Sequence, residues 1–328
     1  MSEFIIGVDL RGLSGLPGSG AGVAHATREL WETLLKKSFT LGIECIPLCT
    51  RKDFRKTTRA VIFPTGAVPI WFHGNAFPLV HDLFIFDYPE WFNQKTFHRL
   101  FTTTVFLRGL KRAVHIFAVS ESTKNDIIRH AGIPPERISV VYQGVDSFKE
   151  DYINVMEPKE KYFLVLGTIE PRKNLNMLFK LVYSGDFPAN TKLVIAGKNG
   201  WGNVKIPVHE QVVCLGEVSH EKKQQLIRNA TALLLPSLSE GFGRSSLEAM
   251  SIGTPVIASN AGALSEVVDD CGILLDPQDM SAWKQAIHSL ASDDQKRDEL
   301  SKKGVIQSRK FTWEQTAGNI LATIKSSC

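Results

Sequence analysis

Long apolar runs are missing from this sequence. No segment approaches the roughly 20 consecutive apolar residues that a membrane-spanning helix needs. The most apolar stretch, VPIWFHGNAFPLVHDLFIF, is interrupted by His73, Asn75, Pro78, His81 and Asp82. Paired cysteines are missing too. The five cysteines, Cys45, Cys49, Cys214, Cys271 and Cys328, are scattered and never form a Cys-x-x-Cys pair. That excludes a disulfide framework and a cysteine zinc site and leads us to expect a reducing cytoplasm. The start, MSEFIIGVDLRG, has neither the basic region nor the longer apolar core of a signal peptide, so secretion is not expected. Low-complexity tracts are absent, and charge is close to balanced, 38 Lys and Arg against 34 Asp and Glu. A net charge of +4 over this length, with no nucleic-acid-binding module pattern, argues against a nucleic acid partner.

What is present is an ordinary globular composition, 43% hydrophobic and 22% charged. A chain of 328 residues exceeds the usual single core, so two domains of roughly 150 residues are expected. All the excess positive charge lies in residues 1–150, with 18 basic against 14 acidic residues, while residues 151–328 hold 20 of each. Short apolar runs alternate with stretches of helical period, the pattern of parallel strands joined by crossover helices. The first half reads as strands near Phe4–Asp9, Ile43–Leu48, Ile70–Phe72, Phe77–Val80, Val114–Val119 and Ile138–Tyr142. The second reads as Tyr162–Leu166, Lys192–Ala196, Val212–Leu215, Ala232–Leu235, Val256–Ala258 and Ile273–Leu275. The charged stretch Asp146–Tyr162 between the two series is expected to be a linker. The α/β class then means two Rossmann-like, doubly wound domains facing across a cleft, an N-terminal one over 1–150 and a C-terminal one over 151–310. Ligands of open α/β sheets bind outside the carboxyl ends of the strands, so the chemistry is expected in strand-to-helix loops.

Two such loops carry the strongest signals. PSLSEGFGRSSLEAMSIGTPVIAS, Pro236–Ser259, sets Glu240 in a glycine-rich turn and Glu248 about one turn into the helix that follows. A helix start flanked by glycines favours an anion. A carboxylate on either side of it suits a ligand with phosphates in the middle and hydroxyls at both ends, the layout of a nucleotide sugar. Ser245 and Glu248 also match a Ser-x-x-Glu capping box, so Glu248 has an equally simple reading as a helix cap. The second loop, Gly167–Lys173, places Arg172 and Lys173 at the start of a helix with apolar Leu175, Leu178, Phe179 and Val182. The helix dipole disfavours cations there, and an external anion accounts for the pair. Each cation within about 4 Å of a phosphate is worth up to ~4 kcal/mol at an effective dielectric of 20.

Together GTIEPRKNL, LVIAGKNGW, CLGEVS and PSLSEGFGRSSLEAMSIGTPVIAS resemble the family 4 retaining glycosyltransferases, two-domain enzymes of the GT-B fold, and look nearest to bacterial mannosyltransferases of polysaccharide assembly. The resemblance implies that Arg172 and Lys173 grip the donor diphosphate and neutralise it as leaving group. It places Glu240 beside the transferred sugar, Phe242 and Gly243 with backbone amides toward that sugar or its phosphate, and Glu248 on the ribose hydroxyls. In the first half FPLVHDLFIFDYPEWF resembles the family's His-Asp strand end, which puts His81 near the anomeric carbon. LSGLPGSGAGVAHATREL resembles its glycine-rich first loop, with Gly20 and Gly22 facing the phosphates or the acceptor. Arg244-Ser245-Ser246 departs from the family's usual Leu-Pro and adds a cation, Arg244, near the sugar or phosphate.

The last helix, with Phe311, Trp313, Ala317, Ile320, Leu321 and Ile324 as its apolar stripe, is expected to pack back on the first domain. The implied reaction moves a hexose with retention from a nucleotide diphosphate sugar, GDP-mannose favoured and UDP-linked hexoses next, to a glycan or lipid-linked acceptor, with no metal and no further cofactor. A nucleotide-sugar epimerase and a non-catalytic nucleotide-sugar binding module are the alternatives. A peripheral contact with the inner face of the cell membrane is expected through Lys95, Arg99, Arg108, Lys111 and Arg112 interleaved with Phe92, Phe97, Leu100, Phe101 and Phe106.

Overall fold

Runs such as FIIGVD, FLVL and ALLL are short, β-branched or aliphatic, and bounded by glycine, proline or polar turns. In the computed structural model they form strands buried on both faces, as parallel sheets require. The structure describes residues 4–13, 21–55, 58–91, 96–145 and 160–328. The chain divides into two compact units, one of Met1–Asp87, Gln94–Gly144 and Phe311–Cys328, the other of Tyr88–Asn93 and Val145–Lys310.

The first unit holds a six-stranded parallel sheet of β1 (Phe4–Asp9), β2 (Ile43–Leu48), β3 (Ala60–Phe63), β4 (Ala76–Val80), β5 (Ile116–Ala118) and β6 (Ile138–Val140), in the order β2-β1-β3-β4-β5-β6. Helix α1 (Ala21–Thr40) links β1 to β2, and the terminal helix α11 (Trp313–Ser327) packs on α1. Its stripe of Trp313, Ala317, Ile320, Leu321 and Ile324 is buried, as is Phe311 ahead of it. Thr312 caps the helix start, Phe311 meets Tyr142 edge to face at 5.4 Å, and Thr316 donates to the Tyr142 carbonyl.

One strand differs from the sequence reading. Ile70–Phe72 is a turn, and Ala60–Phe63, bounded by Pro64, forms the strand in its place. Aromatic packing explains the exchange. Trp71 and Phe72 stack edge-on against Phe54 at 5.1 and 5.8 Å, and Phe72 against Phe63 at 5.1 Å, so this aromatic run covers the sheet instead of joining it.

The helix expected to touch a membrane, α3 (Thr96–Arg112), begins after Phe92 and Lys95, which lie outside the described residues, as do the side chains of Phe97, Arg99, Leu100 and Phe101. Of the rest, Phe106 packs on the core, Arg112 donates to the carbonyls of Ile70 and Phe72, and Arg108 and Lys111 are exposed. Among the described residues no helix is long and apolar enough to cross a membrane.

The second unit follows the sequence reading closely. Its sheet consists of β7 (Lys161–Leu166), β8 (Thr191–Ala196), β9 (Val212–Gly216), β10 (Ala232–Leu235), β11 (Val256–Ser259) and β12 (Ile273–Leu275), all parallel, in the order β12-β11-β10-β7-β8-β9. Lys161 and Tyr162 therefore belong to a strand and not to the linker, whose residues 146–159 lie outside the described set. Chain order runs outward from β7 to β9 and then restarts beside β7 at β10. The β7–β10 border is thus the topological switch point, where the loops leaving two adjacent strands part and open a crevice.

Docking of α11 depends on a close backbone approach. A Cβ on Gly144 would stand 2.3 Å from the Trp313 amide nitrogen and 2.7 Å from its Cγ. Overpacking of this kind costs about 1–3 kcal/mol. Gly144→Ala should therefore lower the calorimetric melting temperature by several degrees; an unchanged melting temperature would mean that this contact does not hold α11.

Candidate functional site

The switch point brings two loops together. After β7 the chain runs Gly167-Thr168-Ile169-Glu170 into a 3₁₀ turn, Pro171–Lys173, and α5 (Leu175–Tyr183) starts beyond Asn174, whose φ of 52° is left-handed. Arg172 and Lys173 thus lie ahead of α5 in a turn of their own and not in its first turn. Leu175, Leu178, Phe179 and Val182 are buried and anchor the helix in the core of this unit. After β10 the chain runs Pro236–Gly243 into α7 (Arg244–Ser251), and the Leu238 amide donates to the Arg172 carbonyl, tying one loop to the other.

The functional side chains expected to face a ligand separately are bound to one another. Glu240 is buried. Its Oε2 accepts from Arg172 Nη1 at 2.6 Å, and its Oε1 accepts from Lys173 Nζ at 2.6 Å and from Ser237 Oγ at 2.8 Å. Arg172 also donates to the Ser239 carbonyl and pairs with Glu170, itself buried, at 2.6 Å. Two carboxylates and two cations form a compact quartet without net charge. Burial alone would raise the Glu240 pKa, but Arg172 and Lys173 overcome it and hold the carboxyl at about 2. For Glu170 burial wins over Arg172 and Lys173, and its pKa is raised. One carboxylate is locked in its ionised form, and its neighbour is the softer proton acceptor.

Glycine permits this closeness. A Cβ on Gly262, φ 60°, would stand 2.4 Å from the Glu240 carbonyl oxygen, which accepts from the next amide, Ala263, at 2.9 Å. Gly243, φ 84°, forms the N-cap of α7 and lies where a Cβ would meet Leu264 at 2.5 Å. Phe242 is buried beside it.

Glu248 is the fifth residue of α7 and is not its cap. No side chain caps α7, and both oxygens of Glu248 accept from Lys223 Nζ, at 2.9 and 3.0 Å. Lys223 projects from α6 (His220–Asn229). Arg244 turns along its own helix to place Nε 3.4 Å from Glu248 Oε1. The capping-box reading fails because the helix starts one residue before Ser245, which moves Glu248 past the first turn, and because Lys223 supplies the charge that a cap would have found in backbone amides.

The first-unit candidates are engaged elsewhere or undescribed. His81 follows β4, donates from Nε2 to the Pro64 carbonyl at 2.7 Å and has its Nδ1 2.9 Å from the Gln143 amide nitrogen. A carbonyl only accepts, so Nε2 carries the proton and Nδ1 takes the amide hydrogen. Gly22 lies in the first turn of α1 with open space around it, and Gly20 lies outside the described residues. Glu170, Ser237 and Lys223 went unnoticed in the sequence. Glu170 was readable as a carboxylate two residues before Arg172, whereas Lys223 is one of two adjacent lysines on an amphipathic helix and carries no mark of its own. Among the described residues Asp87, Asp126 and His130 have a spacing that fits a metal ion, but Arg129 already bridges both carboxylates, at 2.7 and 2.5 Å.

The ion cluster has a pH signature. Glu240 falls from an ordinary 4.5 to about 2, so its stabilisation is fully present above pH 4.5 and is lost as pH falls through 2. At 1.36 kcal/mol per unit the contribution is about 3 kcal/mol. Glu240→Gln should cost about that much stability at pH 7, and denaturant titrations should show the gap to wild type closing between pH 4.5 and 2. A gap independent of pH would show that Glu240 is not charged in the fold.

Comparison with known proteins fits this geometry. Residues 147–306 match the family model described as glycosyl transferases group 1, and residues 66–147 match the one described as glycosyltransferase family 4. The chain is 32% identical over 219 residues to the O-antigen chain mannosyltransferase RfbU of Salmonella typhimurium, covering 64% of this chain and 59% of that one. It is 32% identical over 265 residues to the O-antigen chain mannosyltransferase B of Escherichia coli, covering 71% of this chain and 66% of that one. The chain therefore spans less than two thirds of the length of either relative. Among solved structures, a sucrose-phosphate synthase of Thermosynechococcus elongatus superposes with a TM-score of 0.75 at 18% identity, covering 99% of this chain and all of that one. Anabaena HepE in complex with UDP-glucose superposes with a TM-score of 0.74 at 20% identity, covering 98% and 99%. Those structural likenesses establish the fold, two doubly wound parallel sheets of the GT-B type, and with the family models and the mannosyltransferase relatives they show that this chain belongs to the family 4 glycosyltransferases.

Proposed function

We propose that the chain transfers a hexose, with retention and without a metal, from a nucleotide diphosphate sugar to a hydroxyl of a glycan or lipid-linked acceptor. Mannose from GDP-mannose is the favoured donor because both O-antigen relatives carry the name of mannosyltransferases. The single observation that carries the reading is the buried Glu240 held by Arg172 and Lys173 at a sheet switch point, with a second buried carboxylate, Glu248, eight residues on. The five free cysteines fit a reducing cytoplasm as its setting.

Each group then has a task. Lys173 gives one of its three N–H groups to Glu240 and keeps the others for the donor diphosphate, while Arg172, fixed by Glu170, Glu240 and the Ser239 carbonyl, adds a charge that cannot swing away. The bond from the anomeric carbon to the phosphate oxygen breaks, the acceptor oxygen bonds the same face of that carbon, and the acceptor proton passes to the departing phosphate oxygen. No carboxylate nucleophile is needed, and preorganised charge supplies the stabilisation. Glu240 fixes the two cations and accepts from a sugar hydroxyl. Glu248 accepts from the ribose hydroxyls, with Arg244 beside it. The backbone of Phe242 and Gly243 borders the sugar and its phosphate. His81, with Nε2–H and Nδ1 both bonded within its own unit, acts by shape and dipole near the anomeric carbon and does not carry the proton.

Activity should survive EDTA. Arg172→Ala or Lys173→Ala should lower the transfer rate by about 100- to 1000-fold while circular dichroism shows a folded protein. Lys173→Arg should not rescue, because a planar fork does not replace a point charge in a buried slot. Glu248→Gln should weaken donor binding by about tenfold, the scale of a lost charged hydrogen bond. Loss of turnover in EDTA with recovery on adding Mg²⁺ or Mn²⁺ would overturn the metal-free reading. Donor consumption at an equal rate without any acceptor would favour the epimerase.

A further inference from the structure

The first unit contains a second constructed site, lined by the loop that leaves β2 and by the segment that leads into β4. The crossovers β2→β3 and β3→β4 lie over the same sheet face, and between them opens a cavity of about 860 Å³, lined by Arg51, Lys52, Arg55, Thr58, Trp71 and Asn75 among others. It reaches back to Ala60 and Val61, at the start of β3. It runs along the flank of the sheet from the loop that leaves the carboxyl end of β2 to the amino ends of β3 and β4, and His81, beyond the carboxyl end of β4, does not line it.

Its charge is one-sided. No carboxylate lines it, and among the described residues none pairs with Arg51, Lys52 or Arg55. Asp53, the acidic residue of the same turn, is turned to the backbone, where Oδ2 accepts from the amides of Cys49 and Thr50 and from the Thr50 hydroxyl. An aromatic face holds one of the lining guanidinium groups in place: Arg51 lies 4.9 Å from the centre of the Trp71 ring, whose position is shared with Arg11, itself paired with Asp9 and outside the cavity lining. A stacked guanidinium is oriented before any ligand arrives and still presents its edge N–H groups. Three like charges drawn together around one cavity repel each other, so the arrangement favours occupation by an anion.

We infer that this cavity binds a phosphate ester of a polyhydroxylated ligand, either a soluble phosphorylated saccharide or a phospholipid headgroup. Phosphate fits better than carboxylate because a phosphomonoester carries about two negative charges and three acceptor oxygens, which match three cations. The volume far exceeds a bare phosphate and matches a ligand with a body behind it. Thr58, His73 and Asn75 supply polar atoms for hydroxyls along the wall. The inference stands on the first unit alone and does not depend on the transfer chemistry proposed for the second.

The test is calorimetric titration of inorganic pyrophosphate into Arg172→Ala, which removes one of the two diphosphate cations proposed for the second unit, and into the same protein with Arg51→Gln and Arg55→Gln added, so that the difference between the two titrations belongs to the first unit. The expected result is a salt-sensitive binding event that weakens about tenfold or more with the two substitutions, and a tryptophan fluorescence change on titration that Trp71→Phe abolishes. All three positions are surface-accessible; should the combined variant fail to fold, Lys52→Gln alone should weaken binding by a smaller factor. Co-sedimentation with vesicles containing phosphatidylinositol 4-phosphate, whose headgroup is a phosphomonoester of a polyol, that pyrophosphate competes away supports the site and assigns it a lipid headgroup. Pyrophosphate binding without vesicle binding supports it and assigns a soluble phosphorylated saccharide. Identical titrations with and without the Arg51 and Arg55 substitutions, or no binding at low salt, would overturn it.

Discussion

Burial of the Glu240 charge is the constraint on which the rest of the second unit depends. An isolated buried carboxylate would protonate or unfold its surroundings, so the fold has to bring compensating charge to it. It does so by topology. Only at the border between β7 and β10 do the loops of two neighbouring strands face the same crevice, and Arg172 and Lys173 come from one of them while Glu240 and Ser237 come from the other. Gly262 and Gly243 are consequences of the same demand, since any side chain at either position would push a wall of the crevice away from the pair. The two loops cannot move apart without stranding a charge, and that makes the site rigid before a ligand arrives.

Glu248 solves the same problem with a looser arrangement. Lys223 reaches it from α6 and keeps about a quarter of its side chain in solvent, whereas Lys173 is nearly enclosed. A carboxylate offers about four acceptor positions. Lys223 and Arg244 use three of them at most, one of those at a long 3.4 Å, so Glu248 can accept from a hydroxyl without losing its counter-charges. Of the two glutamates, Glu240 is the structural pivot, and Glu248 is the one with spare acceptor capacity.

The second unit was almost wholly legible in the sequence because each strand there is a short aliphatic run with a glycine or polar turn at its end, and because doubly wound order puts consecutive strand-end loops together. The same pattern misled in the first unit. Ile70-Trp71-Phe72 and Ala60-Val61-Ile62-Phe63 both read as short apolar runs, and only tertiary packing decides that the aromatic one becomes cover and the aliphatic one becomes strand. A capping box of Ser245 and Glu248 would need the helix to begin at Ser246, two residues beyond its observed start at Arg244, and the Ser-x-x-Glu spacing alone does not reveal which start is taken. The pairing of Arg172 and Lys173 with Glu240 was not legible at all. Sequence distance between them exceeds 60 residues, and nothing local distinguishes a cation waiting for phosphate from one already holding a carboxylate.

Net charge is a poor guide to where an anion binds, and the first unit shows why. Its basic excess includes cations with structural tasks: Arg112 ties down the Ile70 and Phe72 carbonyls, Arg137 takes those of Lys111 and Ala113 at the end of α3, Arg11 closes on Asp9, and Arg129 spans Asp87 and Asp126. Carbonyls at a helix end and in loops carry partial negative charge that a guanidinium satisfies without any external ligand. Many cations remain after those are set aside, and among the described residues Arg51, Lys52 and Arg55 stand apart from the others by lining one cavity together, beside a tryptophan. Co-localisation of cations that the fold itself does not use, more than their number, separates a binding surface from a solvated one.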